Sequence, residues 1–294
     1  MTNRWKWRGI CTALITSMCV MWAPDSLSAE KLVWLMRDLP PLSVHEGPKK
    51  GQGVIDQLMP MLIASLPHYE HIMLRVNRAR ASQMLESPTL TCDPLLLWNA
   101  RRANRIAYSN PIIGLHSNGL VIRRQDQPRI EAFIHEGSVD LPALLNAQTL
   151  KLGIVAKRSY GEWIDEQLMQ GTESQIVTHY GNDASGNLLQ MLKAGRLQTM
   201  LGYWPEIQSK ANQLGLLPED LVFYPIKGAP TYQPIYIGCS NTHEGREIIR
   251  GINTVLTNIN LDTLMNVEAQ TFNTEQLRDE HTEVQPSLEG GDLN

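Results

Sequence analysis

The stretch LLLWNARRANRIAYSNPI, Leu95 to Ile112, places two adjacent arginines, Arg101 and Arg102, behind a run of leucines and Trp98. Long cationic side chains commonly lie along apolar surface with their heads in water. By that reading both arginines belong to the solvated face of a short helix, with Trp98 and Ile106 turned inward. The other reading puts one guanidinium at the mouth of a cleft that receives an anion. The rest of the chain separates the two.

Upstream, KLVWLM (31–36) has the continuous apolar character of a buried strand, ended by the prolines at 40 and 41. In GVIDQLMPMLIASLP, Val54, Leu58, Leu62 and Leu66 recur every four residues, the spacing of an amphipathic helix, with Met59 and Met61 as core filler. HIMLRVN predicts a second strand, ARASQMLES a helix stopped by Pro88, and LTCDPLLLW a third extended run. Downstream the rhythm starts again. LKLGIVA predicts a strand, SYGEWIDEQLMQG a helix closed by Gly171, QIVTHYG a strand, ASGNLLQMLKAG a helix and LQTMLGYW an extended run. YQPIYIGCS and EGREIIRGINTVLTNI add a last strand and helix. Strands alternating with helices at these lengths imply an α/β fold with mostly parallel sheets. Two such modules imply two lobes with a cleft between them, the usual place for a small ligand.

The two ends read differently. Arg4, Lys6 and Arg8 precede an apolar run over 9–22, and small residues follow at Ser28 and Ala29. That is the layout of a secretory signal peptide over 1–29, with an apolar run shorter than the roughly 20 residues a membrane span needs. Met18 is larger than the residue a lipid anchor on Cys19 prefers. The expectation is an exported protein of the periplasm beginning at Glu30. The last stretch, 271–294, is acidic and without apolar period, which predicts a disordered tail.

A net charge of −4 with scattered basic residues argues against nucleic acid or anionic lipid as a partner. Of the four cysteines, Cys11 and Cys19 lie in the signal, leaving Cys92 and Cys239. Two distant cysteines in an oxidising compartment form one long-range disulfide or stay as buried thiols, and spacing does not choose. No CxxC or CxxH spacing suggests zinc, and no cofactor is expected. His68 and His71 are three apart but fall between a helix and a strand, so a surface loop is the reading. No serine stands in a nucleophile elbow, and Asp38, Glu162 and Glu206 are the only candidates for a cleft acid or base.

The order of these segments resembles the family 3 extracellular solute-binding proteins, the type II periplasmic binding proteins that include polar amino-acid receptors of ABC transporters. WLMRDLPPLSV looks like the family's opening strand and Pro-Pro turn, and GQGVIDQLMPMLIASL like the helix that follows. RRANRIAYSNPI resembles the signature of an arginine followed by F-S-x-P. LKLGIVAKRSYGEWI is similar to the second-lobe strand and ligand-facing helix start, and LQMLKAGRLQTMLGY to the L-x-x-G-R-x-D segment.

The resemblance implies a two-lobed fold, with the first lobe over 30–116 and 231–270 and the second over 117–230. Two crossings would form a hinge. It makes Cys92 and Cys239 neighbours and hence a disulfide, worth about 4 to 5 kcal/mol by chain entropy. It places Arg102 on the arginine that grips a ligand carboxylate, with Arg101 as its solvated partner, and Ser159 on a hydroxyl at a helix start that favours an anion. Where amino-acid receptors carry the acid that binds the ligand's ammonium, this chain has Tyr203, and Gln198 stands within the segment itself. That departure implies an anionic ligand other than an ordinary α-amino acid. Trp34, Trp98, Tyr203 and Trp204 are candidate flat walls for it. The implied partners are the small ligand and either an ABC permease or a membrane sensor, with the protein a monomer. Relatives that became enzymes, such as periplasmic dehydratases, supply the alternative.

Overall fold

A computed structural model describes residues 29–258. The tail expected from 271 lies outside the described residues, as does the signal expected over 1–29 apart from Ala29.

The first lobe opens with β1 (Glu30–Met36), whose inner residues Leu32, Trp34 and Leu35 are fully buried. Helix α1 (Val54–Ser65) returns the chain to β2 (Tyr69–Arg75), and α2 (Arg78–Leu85) to β3 (Thr91–Leu97). Asn77 caps α2 by accepting a hydrogen bond from the Arg80 N–H, which satisfies one of the donors a helix start leaves free. β1 lies between β2 and β3 and is parallel to both. Strands β4 (Ile106–Tyr108) and β5 (Ile113–His116) complete this half of the chain.

The chain then passes to β6 (Gly119–Arg123) and a small hairpin, β7 (Ile134–His135) and β8 (Ser138–Val139), that turns through Glu136 and Gly137, both at positive φ. Helix α3 (Leu141–Ala147) leads to β9 (Leu152–Val155). It is followed by α4 (Glu162–Leu168), β10 (Ile176–His179), α5 (Ala184–Lys193), β11 (Thr199–Gly202), α6 (Trp204–Gln213) and β12 (Leu221–Pro225). The second sheet has the order β10-β9-β11-β6-β12. β13 (Tyr232–Ser240) and α7 (His243–Asn258) rejoin the first lobe, whose sheet runs β2-β1-β3-β13-β4 with β5 also on β13.

Both sheets are mixed where a mostly parallel arrangement was expected. β6 is antiparallel to β11 and β12, and β13 is antiparallel to β3, β4 and β5. Each antiparallel strand is the one that crosses between lobes, so it enters its sheet from the hinge end. Apolar clusters cover both faces of each sheet. This explains why β3 reads as an unbroken buried run and not as an alternation. Cys92 and Cys239 are register partners on β3 and β13 and are joined by a disulfide.

Two further expectations need correction. The helix expected from Ser159 starts at Glu162, because Gly161 takes φ 105° and the Asp165 carboxylate holds the Tyr160 N–H. His71 is not in a loop: it lies in β2, where its Nδ1 accepts from the Trp34 indole N–H at 3.0 Å and its Nε2 meets the Leu66 carbonyl at 2.9 Å. Among the described residues no helix is long and apolar enough to cross a membrane, and no group of three His, Cys, Asp or Glu side chains is placed to hold a metal ion.

Candidate functional site

The chain crosses between the lobes at two neighbouring strips, where the Ser117 N–H donates to the Thr231 carbonyl at 2.9 Å. Beside them a cavity opens between the two sheets, with about 510 Å³ of unfilled space, its open mouth included. The first lobe contributes Arg78, Arg102 and the apolar side chains of Leu39, Leu95, Leu97, Leu115 and Ile235. The second contributes Arg158, Ser159 and Tyr203, while Asn118 and Gln233 face the cavity from the crossings. Three guanidinium groups thus line it, and no carboxylate does among the described residues. A second cavity shares Leu39, Arg78 and Arg158 and continues toward Asp38, Asp183 and Lys210.

The residues expected at the site separate into two groups. Arg102, Ser159 and Tyr203 come together on the first cavity. Arg102 sits in a short 3-10 turn after β3 and donates one N–H to the Leu97 carbonyl at 3.0 Å, so most of its fork stays free. Tyr203 belongs to the second lobe but packs on the apolar cluster of the first, and burial pushes its hydroxyl up to about 12. Arg101, Trp34 and Trp98 do not line this cavity. Arg101 is exposed. Trp34 is fully buried in the first-lobe core beside His71, and Trp98 packs against the opposite face of the same sheet. Trp204 stacks on Phe223 at 5.5 Å between ring centres.

Ser159 is already engaged. Its hydroxyl donates to Asp165 at 2.5 Å, and the same carboxylate accepts from the Tyr160 N–H at 2.8 Å and from Asn99 of the first lobe at 3.0 Å. Burial raises the Asp165 pKa, opposed by these hydrogen bonds and by the charge of Arg102. Asp165 therefore supplies, from within the chain, a carboxylate at the helix start where an external anion was expected, and it bridges the lobes. Further contacts also cross. The Gln233 amide donates to the Tyr160 carbonyl at 3.2 Å, and Lys210 pairs with Asp38 at 2.7 Å. At Gly161 a Cβ would fall 1.7 Å from the Gln233 amide nitrogen, so only glycine permits this approach.

The candidate acids are tied up or turned away. Glu206 is buried and pairs with Arg158 at 2.6 Å; burial works to lower the Arg158 pKa, and Glu206 outweighs it and raises it. Asp38 shares Lys210 with Asp183, and Glu162 is exposed. Sequence reasoning missed Arg78, Arg158 and Asp165. Arg78 stands immediately before the quoted helix ARASQMLES, and Arg158 one position before the quoted serine; neither carries a local signal that distinguishes it from a surface arginine.

No protein-family model matches the chain, and no curated protein sequence does. Solved structures do. A histidine kinase sensor domain with similarity to periplasmic binding proteins superposes with a TM-score of 0.61 at 14% identity, covering 85% of this chain and 95% of that one. An ABC uptake transporter substrate-binding protein from Streptococcus pneumoniae with bound histidine gives 0.60 at 12%, covering 80% and 89%. An amino acid ABC transporter substrate-binding protein from Streptococcus pneumoniae bound to L-arginine gives 0.58 at 14%, covering 80% and 92%. With two sheets, two crossings and a cleft between them, this chain has the two-lobed type II periplasmic-binding-protein fold.

Proposed function

We propose that the protein is a periplasmic solute-binding protein that captures a small organic anion in the cleft between its lobes. It hands the ligand to an ABC-type permease or reports it to a membrane sensor. The observation that carries this reading is the composition of the first cavity: Arg78, Arg102 and Arg158 face it and no acid does. Such a cavity suits a carboxylate and lacks the acid that would pair with a buried ammonium. An ordinary zwitterionic amino acid is therefore a poor fit. Catalysis is disfavoured because the three carboxylates considered for it are not free in the cavity: Asp38 and Glu206 are held in ion pairs and Glu162 is exposed.

Native mass spectrometry of gently purified protein identifies a retained ligand, and calorimetric titration then tests the grip. Arg102→Lys keeps the charge and loses the planar fork, so binding should weaken by about 1.5 to 3 kcal/mol. Arg101→Lys, at an exposed position, should leave it unchanged. Equal binding by the parent and Arg102→Lys would remove Arg102 from the ligand site. A retained ligand with an ammonium group and no acid would overturn the anion reading.

A further inference from the structure

Arg78 is the cation in the cleft that the protein leaves unanswered. It is the first residue of α2, whose first turn contains no acidic side chain, and it lines both cavities. The other arginines around it have partners. Arg37 forks onto the Asp93 carboxylate, with a further bond to the Leu95 carbonyl at 2.8 Å, and Arg158 pairs with Glu206. Arg102 bonds the Leu97 carbonyl and lies near enough to Asp165 for its charge to oppose the rise that burial gives that acid's pKa. Among the described residues the Arg78 side chain makes no hydrogen bond and no ion pair. Asp38 and Asp183 face the second cavity with it, but both pair with Lys210.

Its surroundings oppose its charge. Although Arg78 keeps some accessible surface on the cavity wall, burial comes first among the causes that hold its pKa well below the ordinary arginine value. Arg37, Arg158 and Arg102 push the same way, against Asp93 alone. A half-buried cation among like charges destabilises the empty protein, and an arriving anion reduces that penalty. The position also opposes the dipole of α2, which favours a negative group at its start.

We propose that Arg78 is a second anion anchor beside Arg102, and that the ligand is a small molecule bearing two separate carboxylates, one on each guanidinium fork. This rests on the anion reading of the cleft and extends it to a ligand class. The two forks come from different elements, the turn after β3 and the start of α2. One planar carboxylate matches one planar fork with both oxygens, so two forks on separate elements suit two carboxylates. Leu39, Leu95 and Leu97 line the same cavity and suit a short hydrocarbon linker.

The test uses the full mature chain with malonate, succinate and glutarate, the monoamide of each, and a small phosphate monoester as probes, read by calorimetry and thermal shift. At least one diacid should bind about 10- to 100-fold more tightly than its own monoamide, the range of one charge-assisted fork. In Arg78→Met that gap should close. Arg78→Lys, which keeps the charge without the fork, should fall between. Unliganded Arg78→Met should melt above the parent, because the unanswered charge is gone; a merely structural arginine would make it melt below, and that result would overturn the proposal. Diacids and monoamides that bind alike, with binding still dependent on Arg102, would sink the second anchor and leave the anion reading standing. A phosphate monoester preferred over every diacid would overturn the two-group class. If no acid binds at all, the anion reading falls too.

Discussion

The two walls of the cleft differ in how far they satisfy themselves. On the second lobe, Arg158 has Glu206, Ser159 has Asp165, and Lys210 has Asp183 at 3.0 Å as well as Asp38 across the gap. On the first lobe, Arg102 holds one backbone carbonyl, and Arg78 holds no partner among the described residues. On one wall the charged groups are paired by contacts within the protein; on the other, Arg78 has no hydrogen-bonded or ion-paired partner among the described residues. The difference teaches that ligand affinity should come from the first lobe, while the second supplies contacts that close the cleft. It also parallels the covalent structure, since the Cys92–Cys239 bridge lies in the first-lobe sheet and the second lobe has no cysteine.

The largest effect expected concerns that bridge. Replacing both cysteines by serine removes a link between residues separated by 147 positions, worth about 4 to 5 kcal/mol in the chain-entropy model. Because the link joins β3 to β13, scanning calorimetry should show the first lobe melting well before the second. If both lobes shift together, the walls unfold as one unit and the contrast does not extend to stability.

Next comes an attempt to make the neutral wall resemble the charged one. Glu206→Gln leaves Arg158 buried without its carboxylate, which should cost about 3 to 5 kcal/mol in denaturant unfolding of the empty protein. Part of that loss should return when a small carboxylate is added, and more than the parent gains from the same addition. A loss with no recovery would show that Arg158 is structural and does not face the ligand.

A smaller effect is expected at Lys210, which ties the lobes together through Asp38. Lys210→Met should weaken closure by about 1 to 2 kcal/mol, discounted because both aspartates are partly solvated. Burial alone would raise the Asp38 pKa, but the hydrogen bond and charge of Lys210, together with the His45 backbone N–H and the His45 charge, outweigh it and lower it. The Asp38 contribution is therefore present above the ordinary value of 3.8 and lost as pH falls through the lowered one. Burial alone would lower the Lys210 pKa, but its bonds to Asp38 and Asp183 raise it, so its contribution is present below 10.5 and lost as pH rises through the raised value. Between those limits the tie should not depend on pH. Small-angle scattering of the parent should show opening at the acid end; an identical acid response in Lys210→Met would assign the opening to another group.

The two modules and most of the interleaved strands and helices were legible in the sequence because each belongs to a local pattern, while Arg102, Ser159 and Tyr203 were placed on the cavity side by counting along the motifs of the resemblance. Buried strands are continuous apolar runs, amphipathic helices repeat every four residues, and a motif fixes the residue counted from it. Helix α6 was missed beyond LQTMLGYW because Trp204 and Pro205 read as the end of an extended run, although proline is well suited to the first turn of a helix. Trp34 was offered as a flat wall because sequence gives a tryptophan's size but not the direction in which it points. The structure turns it into the core, where the His71 ring accepts its indole N–H.

What the sequence determined by itself is the main alternation of strands and helices and its division into two modules, since hydrophobic period and chain order act over a few residues at a time. What only the tertiary structure decided is which charges are answered. Arg37 and Asp93 are 56 positions apart, Arg158 and Glu206 are 48, and Lys210 and Asp38 are 172. No local pattern distinguishes these pairs from Arg78, which looks like any other arginine along the chain. A carboxylate stabilises a guanidinium through distance in space and the loss of intervening water. Both are fixed only by tertiary packing: within one lobe for Arg37–Asp93 and Arg158–Glu206, and across the cleft for Lys210–Asp38.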